Sequence, residues 1–334
     1  MDKPEFEDAL FSALIRQVPD ALHLDNVRRL SGGASKESWV FNAVTPTQTI
    51  PQVLRRDIGG ETLPEESVNL SMAAEAKLLG DAHQAGVPVP AVQFVLQESD
   101  GLGNGFVMEY MEGETIARKI LRDKDFDNIR SQLARQCGTV LAKIHAIPLE
   151  HDNPPLRLSL ADSEIERYET VYHHHGHPHP VFELAISWLR QHKPSPDPEA
   201  CLVHGDFRNG NFIVSPDDGL QAVLDWELAH RGDPMEDMGW ICVNSWRFGH
   251  IDAPVGGFGM REDFIDGYES ESGQRVDRER MHFWEVLGTL KWGIMCLIMV
   301  ETFKSGRDTS VERAASGRRA SETELDLLAL LTEQ

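Results

Sequence analysis

Three polar side chains border apolar runs in the stretch C-L-V-H-G-D-F-R-N-G-N-F-I-V-S-P-D-D-G-L-Q-A-V-L-D-W, residues 201–226: Asp206, Asn211 and Asp225. Residues 201–203, 212–214 and 220–224 are short apolar runs, and Pro216, Asp217, Asp218 and Gly219 supply turn chemistry between the last two. The spacing predicts a loop followed by a β-hairpin. A hairpin returns its two ends to one place, so Asn211, just before the first strand, and Asp225, just after the second, are expected as neighbours. Two oxygen ligands side by side, with Asp206 a few residues upstream, fit a Mg²⁺ site beside a base.

The elements that must position this stretch lie on both sides of it. Residues 6–18 carry Phe6, Leu10, Leu14 and Val18, the recurrence of an amphipathic helix ending before Pro19. From Val27 the chain reads strand, small-residue turn, strand, with Ser31, Gly32, Gly33, Ala34 and Ser35 as the turn. Such a turn lets backbone N–H groups approach a phosphate, because glycine has no Cβ in the way; a hairpin turn without a ligand reads the same. Residues 52–56 form a strand ending in Arg55 and Arg56. A helix over about 66–85, stopped by Gly86 and Pro88, places Glu75 on or beside its inward face. A buried carboxylate needs a partner, and Arg55 is the candidate. Strand-like runs at 87–96 and 105–111 complete a sheet of about five strands with one internal helix. The polar junction Glu112-Gly113-Glu114 then marks a boundary, with residues 1–111 on one side and 112–334 on the other.

Beyond it the pattern turns helical. Leu133, Cys137, Val140 and Ile144 mark a helix leading to His145, residues 281–300 are apolar nearly all round, and Ser321 to Glu324 reads as a capping box opening a terminal amphipathic helix. The histidines at 173, 174, 175, 177 and 179 fall in a Gly- and Pro-broken tract without an obvious carboxylate or Cys partner, which predicts a solvated loop rather than a metal site.

Composition narrows the classes. At 334 residues the chain is long enough for two lobes, and 41% apolar content is that of a globular protein. A net charge of −22, from 54 acidic and 32 basic residues, argues against a nucleic-acid or anionic-membrane surface. It accommodates a cationic substrate, but a solvated acidic exterior that keeps the protein soluble is the favoured reading. Four scattered cysteines form no C-x-x-C pair and read as buried free thiols. With no signal-peptide pattern and no apolar run longer than 293–300, the expectation is a cytoplasmic protein outside the membrane.

His204-Gly205-Asp206, with Asn211 five residues after the Asp and Asp225 beyond a hairpin, resembles the catalytic core of the aminoglycoside phosphotransferase family of small-molecule kinases, which shares the protein-kinase-like fold. The resemblance implies an α+β, bilobal architecture: an N-terminal antiparallel sheet with one helix that binds nucleotide, and a mostly helical C-terminal lobe for catalysis and substrate. It implies ATP and Mg²⁺ as cofactors and a small-molecule hydroxyl as acceptor. Asp206 takes the place of the base, Asn211 and Asp225 those of the metal ligands, and Arg208 that of a phosphate-contacting cation. Ser31, Gly32, Gly33 and Ser35 match the phosphate turn, and Glu75 the glutamate that positions the strand cation. Backbone groups of Glu109 and Met111 match the adenine-contacting hinge. Asp233 and Asp237 match a segment supporting the catalytic loop.

Two departures stand out. The family usually carries Lys where this chain offers Arg55 or Arg56, and the turn is not the full glycine-rich loop. The wording P-H-P-V-F-E-L-A-I-S-W-L-R and L-D-W-E-L-A-H-R-G-D-P-M-E-D-M-G-W is most similar to the kinase domain fused to some acyl-CoA dehydrogenases, which implies a hydroxyacyl-type acceptor as much as an aminoglycoside. A nucleotide-binding pseudokinase is opposed by the intact Asp206, Asn211 and Asp225, and a protein kinase by the absence of an activation segment between Asp225 and Asp233.

Overall fold

A computed structural model describes residues 3–30, 36–57, 69–149 and 156–332. The first helix, α1 (Lys3–Leu14), buries Phe6, Leu10, Ala13 and Leu14, the face expected from the four-residue recurrence, and a turn carries the chain on to Val18. There follow β1 (His23–Arg29), β2 (Glu37–Val44), β3 (Thr49–Asp57), α2 (Met72–Gln84), β4 (Val92–Val95) and β5 (Asn104–Glu109). The five strands form one antiparallel sheet in the order β1-β2-β3-β5-β4. α1 packs on one face with Phe41, Leu54 and Val107, and α2 lies on the other with Leu79 and Phe106. α2 begins later than its apolar pattern predicts, because Ser71 caps it by accepting the Ala74 N–H at 3.2 Å. The run at 87–96 yields only the short β4.

After the sheet come α3 (Ala117–Arg122), α4 (Asp127–His145), α5 (Ala161–His175) and α6 (Pro180–Gln191). Four short strands follow: β6 (Cys201–Val203), β7 (Phe212–Ser215), β8 (Gly219–Val223) and β9 (His230–Gly232). The chain closes with α7 (Met235–Trp240), α8 (Arg261–Ser272), α9 (Arg278–Lys304), α10 (Val311–Gly317) and α11 (Ala320–Thr332). α4 and α8 lie so close that a Cβ at Gly138 would collide with the Phe264 carbonyl. His145, at the end of α4, reaches Asp237 Oδ2 at 3.3 Å.

Two expectations need correction here. His173, His174 and His175 are the last turn of α5, closed by Gly176 in the left-handed conformation, where the loop was expected to start earlier; a helix C-terminus favours such side chains. His179 pairs with Glu324 at 3.2 Å and stacks on Phe182, and no cluster of three metal-binding side chains occurs among the described residues. α11 starts at Ala320, so Ser321 lies inside it and is not its cap. α9 is long and apolar enough to cross a membrane by length and composition, although no uninterrupted run revealed it. It packs against α5, α6, α7, α10 and α11, and Trp284, Leu287, Leu290 and Ile294 are buried in the core. Of the cysteines, Cys137, Cys242 and Cys296 are buried and Cys201 is half-buried; all are free.

Candidate active site

β6 pairs with β9, and its end delivers the chain to Asp206. The amides of His204 and Gly205 donate to the two carboxylate oxygens of Asp237 at 2.7 and 2.9 Å. Asp237 is fully buried on α7, with His145 Nε2 3.3 Å from Oδ2. Burial pushes the Asp237 carboxyl up, but His145 and the amide of His204 outweigh it and hold the group below the usual range. Gly205 sits at φ +81°, and a Cβ there would meet the Leu228 carbonyl at 2.6 Å, so the loop requires glycine at this position. The Asp206 amide donates to His204 Nδ1 at 3.2 Å, which leaves the proton of the neutral ring on Nε2. Burial holds His204 below its ordinary pKa.

Asp206 is held by three donors. Oδ1 accepts from Arg208 Nε at 2.9 Å and from Trp240 Nε1 at 2.8 Å, and Oδ2 accepts from Asn211 Nδ2 at 2.6 Å. Its side chain is 14% exposed. The Arg208 guanidinium stacks 4.4 Å over Trp246, and the Lys291 ammonium lies 4.7 Å over Trp240.

The predicted hairpin forms from β7 and β8, with Phe212 opposite Val223. Its ends meet as expected, for the Leu224 amide donates to the Asn211 carbonyl at 2.8 Å. Because the Asn211 side-chain nitrogen is committed to Asp206, its side-chain oxygen is the atom that could serve a cation. Asp225 adopts φ 67°, ψ 65°, a left-handed conformation that costs a non-glycine residue on the order of 1–3 kcal/mol and recurs at functional sites. Trp226, fully buried and bonded to the Val223 carbonyl at 3.2 Å, anchors the segment that imposes this turn.

Strand alternation decides between the two arginines. Ser38 stands opposite Arg55 and Glu37 opposite Arg56, on alternate faces of the sheet. Arg55 faces the hairpin: its Nε lies 3.1 Å from Glu75 Oε1 and its Nη2 2.5 Å from Asp225 Oδ1. Arg56 faces α1, bonded to Glu37 at 2.9 Å and stacked over Phe6, away from the hairpin. Glu75 is therefore inward and partnered; burial pushes its carboxyl up against the pull of Arg55 and Lys36.

Lys36 and Glu227 complete the cluster, neither of them given a role from sequence. Lys36, two residues before Ser38 and so on the same face, reaches Glu75 Oε2 at 3.1 Å and Glu227 Oε2 at 2.7 Å. Alternation in the sequence puts Lys36 in phase with Ser38, but bringing that face to Arg55 needs the pairing of β2 with β3. Trp240, the third omission, lies beyond a loop and carries no such signal.

Between the sheet and the hairpin lies a cavity of about 270 Å³, lined among others by Val53, Arg55, Met108, Met111, Ile213 and Asp225. Glu109 also lines it, but its amide is committed to the Ala91 carbonyl at 2.9 Å, so of its backbone only the carbonyl can serve a ligand. Ser31, Gly32, Gly33 and Ser35 lie outside the described residues. A larger cavity of about 520 Å³ behind the loop, lined by His145, Arg231 and Tyr268, lacks this convergence of oxygens and cations. The Asn211 and Asp225 oxygens fit a hard divalent cation that keeps water or phosphate for its other positions, which is how Mg²⁺ is usually held.

The model of the phosphotransferase enzyme family matches residues 26–284. The mouse acyl-CoA dehydrogenase family member 10 is 30% identical over 207 residues, 57% of this chain and 18% of that protein. The chicken acyl-CoA dehydrogenase family member 11 is 28% identical over 229 residues, 64% of this chain and 27% of that protein. The chain thus spans under a third of the length of these curated relatives. Among solved structures, a Ralstonia eutropha protein described as an aminoglycoside phosphotransferase superposes with a TM-score of 0.71 at 23% identity, covering 95% of each chain. A choline/ethanolamine kinase family protein from Mesorhizobium loti gives 0.62 at 19% identity, covering 92% of this chain and 89% of that one. The bilobal kinase-like fold follows from these superpositions, and the match over residues 26–284 places the chain in the phosphotransferase enzyme family.

Proposed function

We propose that this protein transfers the γ-phosphoryl group of Mg²⁺-ATP to a hydroxyl of a small molecule. The observation that carries the reading is the meeting of Asn211 and Asp225 at the two ends of one hairpin, Asn211 bonded to Asp206 and Asp225 paired with Arg55. Asp206 orients the acceptor hydroxyl and takes its proton as the oxygen attacks phosphorus and the bond to the leaving diphosphate breaks. Arg208 steadies Asp206, and Arg55, positioned by Glu75, contacts the phosphates. The oxygens of Asn211 and Asp225 would hold Mg²⁺, which would supply neutralising charge for the transferring group. The carbonyl of Glu109 and the backbone of Met111 contact the base of the nucleotide, and Ser31, Gly32, Gly33 and Ser35 cover its phosphates. We place the boundary between nucleotide and substrate lobes at residues 111–112, just past the last sheet strand and before Gly113, whose φ of +145° a side chain rarely adopts. Nucleotide use is supported by a fold neighbour, a spectinomycin phosphotransferase solved with ADP.

A second reading concerns the acceptor. Arg208 and the Trp240 indole bond Asp206, with Trp246 stacked under Arg208 and Lys291 over Trp240. Burial lowers the Lys291 pKa, but Tyr168, Glu236, Glu164 and, more weakly, Asp206 outweigh it and keep the ammonium charged. Cations and apolar rings beside the base suit a hydroxy metabolite carrying an anionic group, such as a hydroxyacyl thioester, better than a polyamine sugar. The test is ADP release measured in parallel with aminoglycosides, amino alcohols and hydroxyacyl-CoAs. Release with no acceptor class, and no rise in melting temperature with millimolar Mg²⁺-ATP, would sink the kinase reading.

A further inference from the structure

The charged face around Arg55 holds three carboxylates, Glu75, Asp225 and Glu227, against two cations, Arg55 and Lys36. Arg55 lies close to all three acids: 3.1 Å from Glu75, 2.5 Å from Asp225 and 3.6 Å from Glu227. Binding nucleotide calls Arg55 to the phosphates and Asp225 to the metal. Glu75, whose side chain is 2% exposed, and Glu227 would then be left without their arginine. An uncompensated buried carboxylate is costly, so with Arg55 as the only cation the protein itself would resist the movement.

Lys36 removes that resistance. Its ammonium, 10% exposed, already bonds Glu75 Oε2 and Glu227 Oε2 and can keep both acids paired while Arg55 turns. We propose that Lys36 is a positioning residue for phosphoryl transfer: it holds Glu75 and Glu227 so that Arg55 is free to engage the nucleotide. The inference rests on the kinase reading above and goes beyond it in giving the chain a second cation with a separate task. Lys36 itself is absent from the cavity wall that Ser38 and Arg55 form, in keeping with a role exerted through its neighbours.

This division of labour predicts an unusual sign. In Lys36→Met, Arg55 alone must serve Glu75 and Glu227, and Mg²⁺-ADP affinity, read by isothermal titration calorimetry on the full chain, is expected to fall about tenfold, a loss of about 1.4 kcal/mol. Adding Glu227→Gln to that variant removes one of the two claims on Arg55 and is expected to restore affinity several-fold, so that a second lesion repairs the first. Glu227→Gln alone, which tests the same balance even where Lys36→Met folds poorly, is expected to bind Mg²⁺-ADP at least as tightly as the unaltered protein. Lys36→Arg keeps the charge and is expected to stay within threefold. Melting curves without nucleotide establish that each variant is folded. An unaltered protein that fails to bind Mg²⁺-ADP overturns the kinase reading and this one with it. Normal binding by the unaltered protein together with undiminished binding by Lys36→Met, or a double variant weaker than Lys36→Met, overturns the role of Lys36 alone.

Discussion

Asp206 and Arg55 meet the two ends of one hairpin, Asp206 through Asn211 and Arg55 through Asp225, yet they are held in different ways. The loop of Asp206 hangs on hydrogen bonds to residues nearby in the chain: the amides of His204 and Gly205 reach Asp237, 33 and 32 residues on, and Asp206 itself reaches Trp240 and Asn211, 34 and 5 residues on. Arg55 is held by ion pairs across the two lobes, its bond to Asp225 spanning 170 residues. Backbone amides on a buried carboxylate fix a geometry, whereas ion pairs among flexible side chains fix a charge balance that a ligand can redraw. The comparison suggests a rigid acceptor side and an adjustable nucleotide side, and each arrangement can be broken separately.

The largest effect is expected at the base. Asp206→Asn keeps the shape and the bond to Trp240 but cannot take a proton, so kcat is expected to fall about 10²–10⁴-fold while Mg²⁺-ATP still raises the melting temperature. Transfer that survives this change would remove Asp206 from the role of base. Loss of the thermal shift would mean instead that the acceptor and nucleotide sides are not separable. Next in size is the anchor beneath the loop. Asp237→Ala strands two amides and leaves His145 without its carboxylate, which is expected to cost about 3–5 kcal/mol in urea unfolding. A cost below about 1 kcal/mol would show that the loop does not depend on that carboxylate.

The same contrast explains what could be read from residues alone. His204, Asp206, Asn211 and Asp225 lie within one continuous stretch whose turn chemistry brings them together, so both the hairpin and the meeting of its ends were legible. The five-stranded sheet and the helical second half followed from periodicity. Glu75 was legible as an inward carboxylate, but its partners come from strands that only the folded sheet sets in register, so the choice of Arg55 over Arg56 needed that register and Lys36 went unassigned. Helix ends were misplaced where local caps outweighed the apolar pattern, as at Ser71, and where a helix ran on through polar histidines, as at His175.

The two faces of β3 offer a sharper division between site and scaffold. Arg55→Met is expected to weaken Mg²⁺-ADP about tenfold or more, since it removes the phosphate-facing cation. Arg56→Met is expected to leave binding within twofold and to cost about 1–3 kcal/mol of stability, because Glu37 Oε2 loses two N–H donors in the packing beneath α1 while Glu37 keeps Trp39 and Arg29. The reverse pattern, read by calorimetry and by urea unfolding, would mean that the register assigned to Arg55 and Arg56 is wrong.

The smallest effect tests the acceptor side through pH. On the strand that pairs with the one leading to Asp206, His230 Nε2 lies 3.0 Å from Glu236 in a buried pair. Burial lowers the His230 pKa, but Glu236 outweighs it and raises the group above 6.5. A histidine raised on folding contributes stability that is fully present below pH 6.5 and lost as pH rises through the folded value. Glu236→Gln removes the carboxylate, so the stability difference from the unaltered protein is expected to be greatest at pH 6 and to shrink by on the order of 1 kcal/mol toward pH 8.5. Lys291, 3.9 Å from Glu236, remains charged throughout that interval and adds only a constant. Urea unfolding at the two pH values measures the change. A difference that stays flat from pH 6 to pH 8.5 would show that Glu236 does not hold a proton on His230 in the folded protein, and would overturn the charged pair.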